Sequence, residues 1–93
     1  MEIINEGELH KFAKKHANSR KSIGNWIDVA KAAIWNNFSE VRQTFNSADY
    51  VKDMVIFDIG GNNFRLITSI DFDAHRVYVL EVMTHAEYDR WKA

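Results

Sequence analysis

A histidine near the end of the sequence has a side chain and a position suited to proton transfer at a phosphate. Residues 84–87, Thr-His-Ala-Glu, fit a helix capping box, in which the threonine and glutamate side chains bond backbone amides of the first turn. This pattern places His85 at the first helical position, where unpaired amides and the positive end of the helix dipole favour anions. An imidazole there can give or take a proton near neutral pH. The alternative is a solvent-exposed histidine with no functional role.

Tyr88 is a candidate partner of that histidine, because it follows His85 by three residues and a helix places the two on one face. Its phenol can donate a hydrogen bond to a phosphate oxygen. The alternative is a packed aromatic side chain, since Trp91 continues the same side of the helix. The sequence leaves both interpretations open.

Arg65 is the third candidate, on a predicted strand in which the residue types alternate. If Phe64 and Leu66 face the helices, Arg65 faces the opposite, open side of the sheet. A planar guanidinium suits a phosphodiester because it offers paired donors. The alternative is a surface arginine that pairs with Asp58 or Glu81 across the sheet, which would contribute little to stability.

Other polar groups lack the spacing of known sites. Residues 60–63, Gly-Gly-Asn-Asn, join two predicted strands and do not have the spacing of a phosphate-binding loop, so they predict a hairpin turn. His10 and His16 are six residues apart rather than four, so they do not form a metal pair on one helix face. Asp71 and Asp73 share a strand face without an evident third ligand. The sequence therefore predicts no metal site.

Composition excludes several classes of protein. The 93 residues are 46% apolar and 27% charged, as expected for one small globular domain spanning residues 1–93. The chain has no cysteine, which removes disulfides and thiolate chemistry and fits a reducing cytoplasm. A net charge of −1 argues against sequence-blind binding of polyanions. Acidic residues near the N-terminus predict that the chain has no signal peptide. The apolar runs are too short for a membrane span, so we expect a cytoplasmic protein.

Charge is unevenly distributed along the chain, and hydrophobic periodicity predicts an α+β fold. Residues 1–22 hold five basic and three acidic groups, whereas residues 54–93 hold four basic and six acidic groups. Short hairpin connections predict a mainly antiparallel sheet with the helices packed on one face. The predicted elements are a strand over 2–5, a helix over 6–17, a helix over 20–36 capped by Ser19, a short helix capped by Ser39 and running through Phe45, a loop over 46–49, strands over 54–59, 64–72 and 76–83, and a last short helix from Thr84.

Two segments at a matching separation carry a family resemblance. Residues 55–70, VIFDIGGNNFRLITSI, and residues 77–89, VYVLEVMTHAEYD, resemble the HigB branch of the RelE/ParE-like bacterial toxins. The resemblance covers nearly the whole chain, including the N-terminal helix pair and FNSADYV at residues 45–51. It implies a RelE-like fold and a ribosome-dependent endoribonuclease, or mRNA interferase, that uses no metal or other cofactor. In this chemistry the RNA 2′-hydroxyl attacks the adjacent phosphate.

The resemblance also implies roles for particular residues. Arg65 would neutralise the phosphate, His85 would act as acid or base, and Tyr88 would assist, so we expect the guanidinium and the imidazole to reach one small pocket. Related toxins carry basic residues at several positions where this chain has Ile56, Asp58, Asn63 and Leu80. RNA contacts are therefore expected from a thinner set, namely Lys52, Asn62, His75 and Arg76, with lysines of the helix pair at positions 11, 14, 15 and 21.

Partners follow from the same resemblance. It implies a cognate HigA-like antitoxin with a helix-turn-helix domain, which would cover the open sheet face or lie along the helices. Operator DNA would be bound only through that complex, and messenger RNA on the ribosome would be the substrate. The thin basic set leaves open a non-enzymatic toxin, either a ParE-like gyrase blocker or a decayed toxin that acts only through protein binding.

Overall fold

The computed structural model describes residues 1–92. In chain order its elements are β1 (Glu2–Ile4), α1 (Glu6–Lys15), a 3₁₀ turn (Ala17–Ser19), α2 (Arg20–Ala32), α3 (Phe38–Thr44), β2 (Asp49–Val51), β3 (Met54–Ile59), β4 (Phe64–Asp71), β5 (Arg76–Thr84) and α4 (His85–Lys92). Strands β2 to β5 form an antiparallel meander, and β1 pairs in parallel with β5, giving the order β1-β5-β4-β3-β2. The predicted α+β fold with a mainly antiparallel sheet is confirmed.

The main core lies between the sheet and helices α1, α2 and α3. Side chains alternate along β3 and β4, and Phe57 and Leu66, which are paired in the register, both point into this core. They meet Leu9 of α1 and Trp26 of α2, and each of the four is at most 1% exposed. Trp26 packs edge-on against Phe57 with ring centroids 5.3 Å apart. We call this side of the sheet the helix-pair face.

The opposite side of the sheet, which we call the α4 face, carries a smaller apolar cluster. Ile56, Ile67 and Met83 point to this side, and Tyr88 of α4 packs on them. The prediction that the helices share one face was therefore wrong for α4. A meander leaves its second face bare, and the last helix crosses to it because Tyr88 and the three strand residues bury apolar surface together.

Two of the differences from the predicted element boundaries involve long-range contacts. The second helix ends at Ala32 instead of residue 36, because the backbone becomes extended at Ala33. This extension lets Trp35 enter the core, where it stacks on Phe57 at 6.1 Å. The predicted loop over 46–49 ends earlier than expected, since residues 49–51 form β2 and pair with β3 at the sheet edge.

The helix caps also differ from those predicted. Ser19 is at the N-cap position of α2, as predicted, but its side chain makes no capping bond, because its hydroxyl donates to the carbonyl oxygen of His16 at 2.6 Å. Asn37 replaces Ser39 as the cap of α3, and its side-chain oxygen accepts the Glu40 N–H at 2.9 Å. The predicted turn at residues 60–63 is confirmed, and its two glycines have φ angles of 63° and 67°.

Candidate active site

Arg65 is held in a nearly dry position on the α4 face. The residue is 8% exposed, and its Nε lies 3.2 Å from Oδ1 of Asp58, its register partner on β3. One terminal nitrogen donates to the carbonyl oxygens of Asn62 and Phe64, at 3.2 and 3.0 Å, and the other donates to the Asn62 side-chain oxygen. The guanidinium therefore makes three hydrogen bonds and one ion pair.

The expected open surroundings of Arg65 are thus corrected by the structure. The side chain does face away from the helix pair, but residues around it cover it. Of the two ion pairs considered from sequence, the one with Asp58 forms and the one with Glu81 does not. A charge this buried is stable only when it is paired and hydrogen-bonded, which explains the dense set of acceptors.

Tyr88 forms the cover over Arg65. The guanidinium carbon lies 5.5 Å from the centroid of the Tyr88 ring, within the range of a cation–π contact. Trp91 stacks on the same ring at 5.7 Å, so the packed interpretation of Tyr88 is correct. Burial raises the pKa of the Tyr88 phenol, nearby carboxylates including Asp49 add to the rise, and Arg65 opposes it. The phenol therefore stays protonated near neutral pH and can donate a hydrogen bond but not act as a base.

A polar cavity of about 390 Å³ opens beside this arginine–tyrosine pair. Its walls carry three cations and two carboxylates, so its formal charge is positive. The cavity is large enough for part of a nucleotide, and its positive formal charge favours an anion. The charged residues that line it are Arg42, Asp49, Asp58, Arg65 and Lys92.

The predicted capping box at the start of α4 is confirmed. The Thr84 N–H donates to Oε1 of Glu87 at 2.9 Å, and the Glu87 N–H donates to the Thr84 hydroxyl at 3.2 Å. The hydrogen bonds with the Thr84 backbone amide and hydroxyl lower the pKa of the Glu87 carboxyl. This box positions His85 at the first residue of the helix, as predicted.

The His85 imidazole is half exposed and has two unequal nitrogens. Its Nε2 lies 3.5 Å from Oδ2 of Asp89, one turn along the helix. Its Nδ1 is buried and has no hydrogen-bond partner. Because Nε2 has a carboxylate acceptor nearby and Nδ1 has none, we place the proton of the neutral ring on Nε2. His85 does not line the cavity of Arg65 and Tyr88.

The turn between β3 and β4 connects the two candidate groups. Asn62 accepts from the Arg65 guanidinium, while the carbonyl oxygen of the adjacent Asn63 accepts the His85 N–H at 2.9 Å. Phe64, the next residue, is the register partner of Thr84. Arg65 and the first turn of α4 are therefore fixed to one short segment, although the two side chains do not touch.

The other predicted RNA contacts are scattered. His75 and Arg76 lie where β5 begins, at the opposite end of that strand from His85, a separation of about 30 Å from Arg76 at roughly 3.3 Å per residue. Arg76 pairs with Glu2 at 3.0 Å, and Lys52 lies in the β2–β3 turn. Of the four predicted contacts, only Asn62 touches a candidate catalytic side chain.

Sequence reasoning did not select His16, which lies beside this site. Its ring stacks on Phe12 with centroids 4.2 Å apart and lies 6.0 Å from the ring of Phe64. It is also close enough to Glu87 that its charge helps, as a smaller contribution, to lower the pKa of that carboxyl. Helical spacing with Phe12 indicated a partly buried face for His16, but nothing local indicated that its ring would lie near Phe64.

Residues 1–92 contain neither a cluster of metal-binding side chains nor a membrane-spanning helix. Within that range no three His, Asp or Glu side chains gather around a possible metal position. The longest helix there has 13 residues, and none is both long and apolar enough to cross a membrane.

The matching family and the similar proteins named below agree on one family of proteins. Residues 19–91 match the family described as HigB_toxin, RelE-like toxic component of a toxin-antitoxin system. A protein named mRNA interferase HigB, from Escherichia coli O6:H1 (strain CFT073), is 31% identical over 97% of this chain and 90% of its own length. The mRNA interferase toxin HigB of Escherichia coli K12 is 28% identical over the whole of this chain and 92% of its own length.

Proposed function

The chain belongs to the HigB toxin family of RelE-like toxic components of toxin–antitoxin systems, and we propose that it cuts messenger RNA on the ribosome. The names of its Escherichia coli relatives as mRNA interferases support this activity. Membership of a toxin–antitoxin family implies an antitoxin partner. We infer that this partner is HigA-like with a helix-turn-helix domain, and that operator DNA is bound by the complex and not by the toxin alone.

The proposed reaction is a metal-free transesterification in which the RNA supplies its own nucleophile. A ribose 2′-oxygen bonds to the adjacent phosphorus, the bond from phosphorus to the 5′-oxygen breaks, and a 2′,3′-cyclic phosphate and a 5′-hydroxyl result. His85 takes the 2′-hydroxyl proton or gives a proton to the departing 5′-oxygen. Arg65 offsets the charge that develops on the phosphoryl oxygens, and Tyr88 donates to one of them.

The connection of Arg65 and His85 through the Asn62–Asn63 turn is the observation that carries this proposal. In-line transfer needs an acid or base and a fixed cation a few ångströms apart around one phosphate. A linkage placed over the turn lies between the polar cavity and the start of α4. Release of the Asn62 side chain would free a second N–H on the same guanidinium nitrogen, giving the phosphate a paired donor set.

The test is cleavage of a reporter message by purified protein on translating ribosomes, mapped by primer extension. We expect His85→Ala and Arg65→Lys each to reduce cutting by about 100-fold or more, as removal of one acid–base group or one transition-state donor typically does. Arg65→Lys keeps the buried positive charge, so thermal unfolding should show a folded protein. His75→Ala and Arg76→Lys, at the opposite end of β5, are the matched controls and should cut normally.

A second experiment tests the nucleophile. A message with a single 2′-deoxynucleotide at the mapped position should resist cutting there while neighbouring sites react normally. Full cutting at the deoxy position would exclude attack by the 2′-hydroxyl. Full activity of the His85 and Arg65 variants would instead exclude the assigned residues.

A non-enzymatic toxin is the second candidate function. It is favoured because the Arg65 guanidinium already has partners within the protein. With three hydrogen bonds and an ion pair to Asp58 already made, the guanidinium has limited capacity for a new anion unless its partners move. Such a toxin would act through protein contact, as a ParE-like inhibitor of DNA gyrase does. Inhibited supercoiling by purified gyrase, together with uncut message on ribosomes, would decide for this function.

A further inference from the structure

A basic segment without acids joins the first two helices. Residues 11–27 contain five Lys or Arg and no Asp or Glu, in a chain whose net charge is −1. Within residues 1–92, four of these cations are exposed and have no ion pair or hydrogen bond from their charged groups. We call these four the basic junction, and they are Lys14, Lys15, Arg20 and Lys21. The fifth, Lys11, pairs with Glu8 at 3.5 Å.

The basic junction is close to the start of α4, although the sequence separates them by more than 60 residues. A Cβ added to Gly60 would lie 3.5 Å from the Ser22 hydroxyl, so the β3–β4 turn touches the first turn of α2. The same turn accepts the His85 N–H through Asn63. One turn thus contacts the beginnings of both helices, and free cations flank it on the α1–α2 side.

An aromatic surface lies between the basic junction and the catalytic candidates. The His16 ring, which directly follows Lys15, stacks on Phe12 with an interplanar angle of 27° and remains partly exposed. It lies 6.0 Å from Phe64, whose backbone pairs with Thr84. Flat rings beside free cations are the usual combination for single-stranded RNA, in which bases stack and phosphates contact Lys and Arg.

We propose that the basic junction and His16 form a binding surface for single-stranded RNA that flanks the cut. The surface holds phosphates through Arg20, Lys21 and the two lysines, and one base stacks on the imidazole of His16. This inference rests on the proposed function, since it gives the path of the message beyond the cavity of Arg65. It replaces the scattered set at Lys52, His75 and Arg76 as the main contact with the RNA backbone.

The experiment measures binding of a fluorescent 2′-O-methyl RNA oligonucleotide, which has no nucleophile and is not cut, by anisotropy at several salt concentrations. Arg20→Glu/Lys21→Glu is compared with Lys52→Glu/Arg76→Glu, because each double variant changes the net charge by the same amount. Acidic residues in the first turn of α2 interact favourably with the helix dipole, so the first variant should fold. His16→Ala and His16→Phe form a second matched pair.

Wild-type protein should bind, and Arg20→Glu/Lys21→Glu should lose about tenfold or more at low salt. For this variant, the slope of log binding constant against log salt concentration should be shallower by about 1.4. This is the value for two lost phosphate contacts on a single strand. The Lys52/Arg76 variant should bind nearly as wild type does. His16→Ala should weaken binding, whereas His16→Phe should preserve it because a phenyl ring also stacks.

Two outcomes would overturn this inference: equal losses in the two double variants, which would report net charge alone, and no binding of the oligonucleotide by wild-type protein. Because the oligonucleotide cannot be cut, the result is independent of catalysis. Wild-type protein that binds it as expected but leaves messages intact on ribosomes would refute the proposed function and leave the binding surface standing.

Discussion

The two faces of the sheet use neighbouring residues of the same strands for different purposes. On the helix-pair face, Phe57 and Leu66 are enclosed by apolar side chains of three helices. On the α4 face, the adjacent residues Asp58 and Arg65 form an ion pair under one tyrosine. Alternation along a strand thus lets one face stabilise the fold while the other carries charged groups, because each face contacts a different set of partners.

The two faces also differ in how much apolar surface is buried between the sheet and the helices that pack on it. The main core joins elements from both halves of the chain, whereas the smaller cluster has only four buried members. The eight-residue α4 depends on its capping box and on Tyr88 for its position. We therefore expect the helix-pair face to determine global stability and the α4 face to open more readily.

Truncation of a side chain on the helix-pair face should cause the greatest loss of stability. Phe57→Ala removes a ring that touches Trp26, Trp35 and Phe45, and should cost about 3–5 kcal/mol in free energy of unfolding. Met83→Ala, on the α4 face, should cost about 2 kcal/mol, at the low end for such a truncation, because the small cluster can collapse around the gap. Urea unfolding measures both, and equal losses would remove the distinction between the faces.

A smaller effect is expected from Asp58→Asn, which removes the carboxylate beside Arg65 but keeps its shape. We expect a loss of about 1–2 kcal/mol in stability, since the partly exposed pair is screened by solvent. The same change should tighten binding of the uncleavable RNA, because the guanidinium is no longer neutralised. Unchanged or weaker RNA binding by the folded variant would indicate that Arg65 serves only the structure of the α4 face.

The smallest expected effect concerns the start of α4. Thr84→Ala should cost about 1 kcal/mol, while Thr84→Ser should keep the cap and most of the stability. The Glu87 pKa is lowered from its usual value of 4.5, so its contribution is complete above that value and is lost as pH falls through the lower, folded pKa. Between about pH 5 and pH 3, the free energy of unfolding should therefore decrease less steeply with falling pH for Thr84→Ala than for wild type. Parallel curves for both variants and wild type would contradict this account of the cap.

Local patterns predicted most of the fold because they depend on neighbours in sequence. The alternation around Phe57 and Leu66 and the glycines at positions 60 and 61 were sufficient for the central hairpin. The Thr84–Glu87 box was sufficient for the start of α4. The end of α2 and strand β2 were missed, because burial of Trp35 and pairing at the sheet edge are decided by distant partners.

The residue types suited to phosphate chemistry, and the strand or helix that carries each one, follow from the order of amino acids alone. The enclosure of Arg65 by Asp58, Asn62 and Tyr88, in place of exposure to solvent, follows only from tertiary packing. Long-range packing likewise places the last helix on the second face and the His16 ring 6.0 Å from the ring of Phe64. Periodicity shows which side a residue faces, whereas what covers that side depends on long-range packing that no short window of sequence contains.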